Sequence, residues 1–289
     1  YFVDLLGYLD KHGLDRTAER MPSDEELGAW LSAGKGLPRN LLAVLVAHTK
    51  MDLYNRVLHS RIPDLPLFQP FLFAYFPDKA ATVHAGLVTK HHLRREIIAT
   101  VVTNAIINQA GCTLLVQLAK ETNLPLEELV VRYFICDELL EGRKLRASVH
   151  GADYKVPSAD QYAALMAFED IHRSLLRWWL WNDGVFKLSA EDVAKTKPEL
   201  DKARAALVAS LDGPAKLAVE ARAHELVQRG FEADTATTLS HAPLLRETFA
   251  LLAAAKSAKL QLLDAAPLWH KAGKQLHLEL DGTGVELQL

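Results

Sequence analysis

The stretch His91–Gly111, HHLRREIIATVVTNAIINQAG, restricts the fold more than any other part of the chain. Wound into a helix, Leu93, Ile97, Ile98, Val101, Val102, Ala105 and Ile106 make it apolar over most of its circumference. A helix of that kind belongs in the middle of a larger helical protein. Its polar residues Glu96, Thr100, Asn104 and Asn108 recur every four positions, so they rise along one side, and Gly111 follows three later. Buried amides and carboxylates require hydrogen-bond partners. The stripe therefore predicts a buried polar network or an interdomain contact, with Arg94, Arg95 or a neighbouring helix end as partners.

The rest of the chain carries helix punctuation at regular intervals. Ser23-Asp24-Glu25-Glu26 has the capping-box pattern, and Gly34 offers a stop. Ser158 and Gln161 repeat the pattern after Pro157. The helix they start places Phe168, Ile171, Leu175 and Trp179 on one face, with Asp170, Arg173 and Arg177 opposite, and is expected to end at Gly184. Further helices are expected near 1–12, 40–59, 79–90, 92–109, 113–121, 126–141, 190–211, 214–229, 232–240, 243–258 and 261–272. Leu276–Leu280 and Val285–Leu289 alternate with period two around Asp281-Gly282-Thr283-Gly284, the pattern of a short β-hairpin. The expected fold is an all-α, irregular multi-helix bundle ending in that hairpin. It forms one domain over 1–289, with a subdivision at 1–150 and 151–289.

Composition excludes several classes of function. At 289 residues, 49% apolar and 24% charged, the chain can bury a large core. A net charge of −3 gives no basic footprint for nucleic acid. No apolar run approaches the roughly 20 residues that span a bilayer. Cys112 and Cys136 form neither a disulfide framework nor a CxxC pair, which suits a reducing cytoplasm. The chain does not open with methionine, and we expect it to be a piece of something longer.

No spacing yields a catalytic constellation. His48, His59, His84, His91 and His92 crowd one third of the chain but contain neither Glu-x-x-His nor His-x-x-x-His, and His48 with Asp52 is a single pair. Gly28–Gly36 has the wrong spacing for a phosphate loop and follows a helix instead of a strand. The aromatic set Phe68, Phe71, Phe73, Tyr75 and Phe76 either packs an irregular segment on its own core or covers a partner surface. Trp178, Trp179 and Trp181 are core or interface anchors. No catalytic, cofactor or metal residue is assigned.

Leu14-Asp15-Arg16, Met21–Leu27, Gly34–Leu37, Leu42–Leu45, Lys50–Tyr54, Tyr75-Phe76-Pro77 and above all His91–Gly111 occur in an order that resembles the C-terminal region of the large bacterial NAD-dependent glutamate dehydrogenases. Arg177–Leu180 and Leu268–Leu280 extend the likeness. The resemblance implies a parent enzyme that converts L-glutamate to 2-oxoglutarate and ammonia with NAD as hydride acceptor. It also implies that the catalytic lysine segment and the dinucleotide fold lie upstream, so NAD belongs to the parent and no cofactor to this segment. Asn40 and Leu41 depart from the family's proline and glutamate after Arg39, and Asn40 could replace the proline as N-cap. Gln109 stands where an arginine is common. The family likeness would also continue Leu276–Leu280 as helix, against the hairpin reading.

The chain is thus expected to be a cytoplasmic C-terminal helical domain. It would pack on the upstream catalytic region and assemble or regulate a homo-oligomer, without nucleic acid or membrane. An independent interaction module using the aromatic segment 68–76 or the tryptophans, and a small helical enzyme using Glu96, Asn104 and nearby histidines, are the alternatives.

Overall fold

A computed structural model describes residues 2–152, 155–182 and 188–275, and among these every regular element is a helix. The hairpin expected at 276–289 lies outside the described residues, as does Gly184. The chain divides into two compact units at Arg132 and Tyr133, whereas the sequence suggested 150 and 151.

The first unit contains α1 (Phe2–Asp10), α2 (Asp24–Ser32), α3 (Arg39–His59), α4 (Gln69–Tyr75), α5 (Asp78–Val83), α6 (Ala85–Val88), α7 (Arg94–Ala110), α8 (Leu114–Thr122) and the first half of α9 (Leu126–Leu139). The capping box of α2 forms as expected. Ser23 Oγ accepts from the Glu26 N–H at 3.2 Å, and Glu26 Oε2 accepts from the Ser23 N–H at 2.9 Å. At the start of α3, Pro38 rather than Asn40 is the N-cap, with φ −57° and ψ 143°. A proline is already locked near that φ, and Asn40 falls inside the helix, exposed. The aromatic segment is more regular than its prolines suggest, because Pro70 sits in the first turn of α4, where a missing N–H costs nothing.

Helix α7 packs against both α3 and α4. The three bury Leu45, Leu53 and Val57, then Ile98, Val102 and Ile106, and finally Phe71 and Leu72. Burying one such side chain contributes about 1.5–3 kcal/mol, against about 1 kcal/mol for an N-cap. Packing therefore sets the stability of this unit, and the caps set where its helices begin.

The second unit contains the rest of α9, then α10 (Gly142–Gly151), α11 (Ser158–Trp181), α12 (Val193–Ser210), α13 (Gly213–Gln228), α14 (Ala233–His241), α15 (Leu245–Ala258) and α16 (Leu262–Gln275). The capping box expected at Ser158 and Gln161 does not form. Pro157 is the N-cap without a side-chain bond, and the buried Gln161 amide instead donates to the Val156 carbonyl at 2.9 Å. Helix α11 buries Phe168, Ile171, Leu175 and Trp179, the predicted face, and ends at Trp181, with Asn182 as its C-cap.

A core of Leu207, Leu211, Leu244, Leu251, Ala255 and Ala266 joins α12, α15 and α16, and Trp269 closes one side. After α13, Gly230 adopts φ +100°, and a Cβ there would lie 2.5 Å from the Lys155 carbonyl oxygen. Only glycine fits that turn.

Candidate functional site

The six residues picked out on α7 separate in the structure. Arg94 and Arg95, at its N-terminus, both turn to Asp64: Arg94 Nη2 donates to one oxygen at 2.9 Å and Arg95 Nη1 to the other. Arg95 Nη2 also donates to the carbonyls of Leu58 and Ser60, each at 2.8 Å. A cation thus sits at the C-terminal end of α3, where it complements the helix dipole and the orphan carbonyls. Neither arginine serves the stripe.

The stripe itself is not a buried network within this chain. Thr100 and Asn108 are exposed, and Glu96 and Asn104 are half-buried. Thr100 Oγ1 donates to the Glu96 carbonyl one turn back at 2.8 Å, within its own helix. Within this chain α3 and α4 pack against α7, whose buried residues include Ile97, Ile98, Val102 and Ile106. Two atoms at the start of α7 remain unsatisfied among the described residues: Glu96 Oε2 and Arg94 Nη1 are both buried without a hydrogen bond.

A second polar cluster, in the other unit, has no counterpart in the sequence reading. Tyr133 and Asp137 stand one turn apart on α9, Arg146 lies on α10, and Glu169 and His172 lie on α11. All but Arg146 are essentially excluded from solvent. The Tyr133 hydroxyl donates to Glu169 at 3.1 and 3.2 Å, and the Arg146 guanidinium closes on the Asp137 carboxylate. His172 Nε2 donates to the Tyr133 carbonyl at 3.0 Å. Its Nδ1 lies 3.9 Å from Asp137 and 3.8 Å from Glu169, bonded to neither. Burial, then the Glu169 and Asp137 charges, hold the Tyr133 phenol well above its ordinary pKa, so it remains a proton donor.

Gly142 belongs to the same cluster, since a Cβ there would lie 2.1 Å from Asp137 Oδ1. Asp137, directly after the apolar run Tyr133–Cys136, and Glu169, directly after Phe168, were the available sequence signals. The arrangement can fix three helices in one register.

Of the histidines, His48 lies 3.3 Å from Glu19, and Asp52 is taken by the Tyr8 hydroxyl at 2.7 Å and by Arg56 at 2.9 Å. No group of three His, Cys, Asp or Glu residues is placed for a metal ion among the described residues. Trp179 is core, Trp178 packs edge-on against Phe249, and Trp181 is exposed.

Among the described residues the regular elements are helices, with polar side chains spent on register and helix ends, and they define an all-α domain. The chain belongs to the family described as glutamate dehydrogenase, C-terminal, which matches residues 34–281. It is 30% identical over 227 residues to the NAD-specific glutamate dehydrogenase of Pseudomonas aeruginosa, covering 78% of this chain and 14% of that protein. It is 26% identical over 265 residues to the protein of the same name from Halomonas elongata, covering 92% of this chain and 16% of that one. The Mycobacterium tuberculosis protein of that name is 28% identical over 151 residues. The chain therefore spans about a seventh of the length of the first two relatives.

Proposed function

We propose that this chain is the C-terminal helical part of a cytoplasmic NAD-dependent glutamate dehydrogenase whose catalytic and NAD-binding regions lie upstream. In that enzyme L-glutamate, NAD and water give 2-oxoglutarate, ammonia and NADH. The present segment packs on the catalytic region and helps hold a homo-oligomer. The relatives' names and the small share of their length that the chain spans support this reading.

One structural observation carries the packing role. The polar side of α7 reaches the surface of this chain, with Thr100 and Asn108 exposed and Glu96 and Asn104 half-buried along it. A surface supplied by another part of the parent enzyme would cover the exposed Thr100 and Asn108, which returns the stripe as an interdomain contact. Exposed Tyr75, Val83 and Leu87 in the same unit are apolar side chains of the kind such a contact would cover.

The test compares glutamate-dependent NADH formation and light-scattering mass for the full-length parent, the parent lacking this segment, and this chain alone. Activity and assembled mass confined to the full-length protein are the expected result. Turnover by this chain alone would overturn the upstream placement of catalysis, and full activity and mass without the segment would overturn its packing role.

A further inference from the structure

Helices α12, α13 and α14 border an open surface groove of about 470 Å³, within the roughly 300–1,000 Å³ of small-ligand sites. Its floor is apolar, made by Ala205, Val208 and Ala209 of α12. Three nitrogen-bearing side chains stand around that floor: Arg204 on α12, Lys216 on α13 and His241 on α14.

The positive charge is only partly answered. Arg204 Nη2 donates to Asp201, one turn back, at 2.8 Å, and its other guanidinium N–H groups make no hydrogen bond among the described residues. Lys216 has Glu220 only at 4.0 Å, an exposed pair of the kind that contributes little. His241 is held below its ordinary pKa, first by burial and then by the Arg204 charge, so a second cation beside Arg204 is disfavoured. The hydroxyls of Thr237 and Thr238 donate to their own helix, at 2.8 Å to the Ala233 carbonyl and 2.9 Å to the Asp234 carbonyl. The cations are therefore the groove's available donors.

We propose that this groove binds a small aliphatic dicarboxylate. Arg204 takes one carboxylate and Lys216 the other, and the methylene chain lies on the Ala205–Val208–Ala209 floor. A guanidinium fits a carboxylate through paired N–H bonds. Two cations on separate helices fit two anionic ends, and an apolar floor has no use for inorganic phosphate. The inference is independent of the role proposed for α7, which belongs to the other unit.

The test uses the full 289-residue chain with glutarate as probe, read by calorimetry and by the ring resonances of His241, assigned with H241Q. We expect saturable binding that perturbs the His241 resonances. Arg204→Gln should weaken it at least tenfold, the loss of a charge-assisted hydrogen bond. Ala209→Phe fills the floor from an exposed helix position and should abolish binding without touching the core. Butyrate and inorganic phosphate should each bind at least tenfold more weakly. Absence of binding in the millimolar range, or binding unchanged in A209F, would overturn the site. Phosphate binding as tightly as glutarate would overturn the dicarboxylate assignment.

Discussion

The hydroxyl of Tyr133 donates to both carboxylate oxygens of Glu169, at 3.1 and 3.2 Å, where neither side chain meets solvent. Tyr133→Phe keeps the ring and removes the donor, leaving a buried carboxylate short of a partner. We expect a loss of about 1–3 kcal/mol in urea unfolding, the penalty for an unsatisfied buried acceptor. A neutral result would mean that water or another donor reaches Glu169.

Arg146 and Asp137 should be coupled more strongly. Arg146→Met leaves the Asp137 charge buried without its cation and should cost about 3–5 kcal/mol. Removing both charges in Arg146→Met with Asp137→Leu should cost less than the single change, because no unpaired ion remains. A double-mutant cycle by chemical denaturation measures the difference, and simple additivity would contradict the pairing.

Glu141 gives a pH signature. The hydrogen bond from Lys197, 2.9 Å from its carboxylate, is the largest influence and lowers its pKa against the opposing effect of burial. The folded chain therefore releases this proton more readily than the unfolded chain does. The stabilisation is present above the unfolded value of about 4.3 and fades as pH falls through the lower folded value. More than a third of this side chain is exposed, so the effect stays below about 1 kcal/mol after screening. Glu141→Gln should accordingly be less stable than the parent chain at pH 7 and converge with it in acid, measured as the midpoint difference across pH.

Both cysteines are buried, and burial raises the Cys112 thiol above its ordinary pKa. The thiolate is the reactive form. Modification by a disulfide reagent should be slow in the native chain and complete within mixing time in denaturant. Immediate reaction of the native protein would show that one thiol is reachable.

Legibility in the sequence followed the strength of local signals. The α2 cap stood out from its start residues, and the buried face of α11 from its apolar spacing. Helix α10 did not, since it opens on Gly142 after a left-handed Glu141 at φ 54° and buries only Gly142, Leu145 and Val149. The Tyr133–Glu169 cluster offered only isolated charges next to apolar residues, because its members come from three helices and no spacing along the chain encodes their meeting. The α7 stripe was legible as one side of a helix, but what lies against it was not, since periodicity shows which residues share a side and not what covers them.

Between Tyr75 and Leu93 only Val88 is fully buried, and the segment is built from the two short helices α5 and α6. Opening it exposes almost no new apolar surface, so its amides should exchange with solvent long before those of α3 or α7. A protease added to the isolated chain should make its first cut there and leave the packed helices on either side intact.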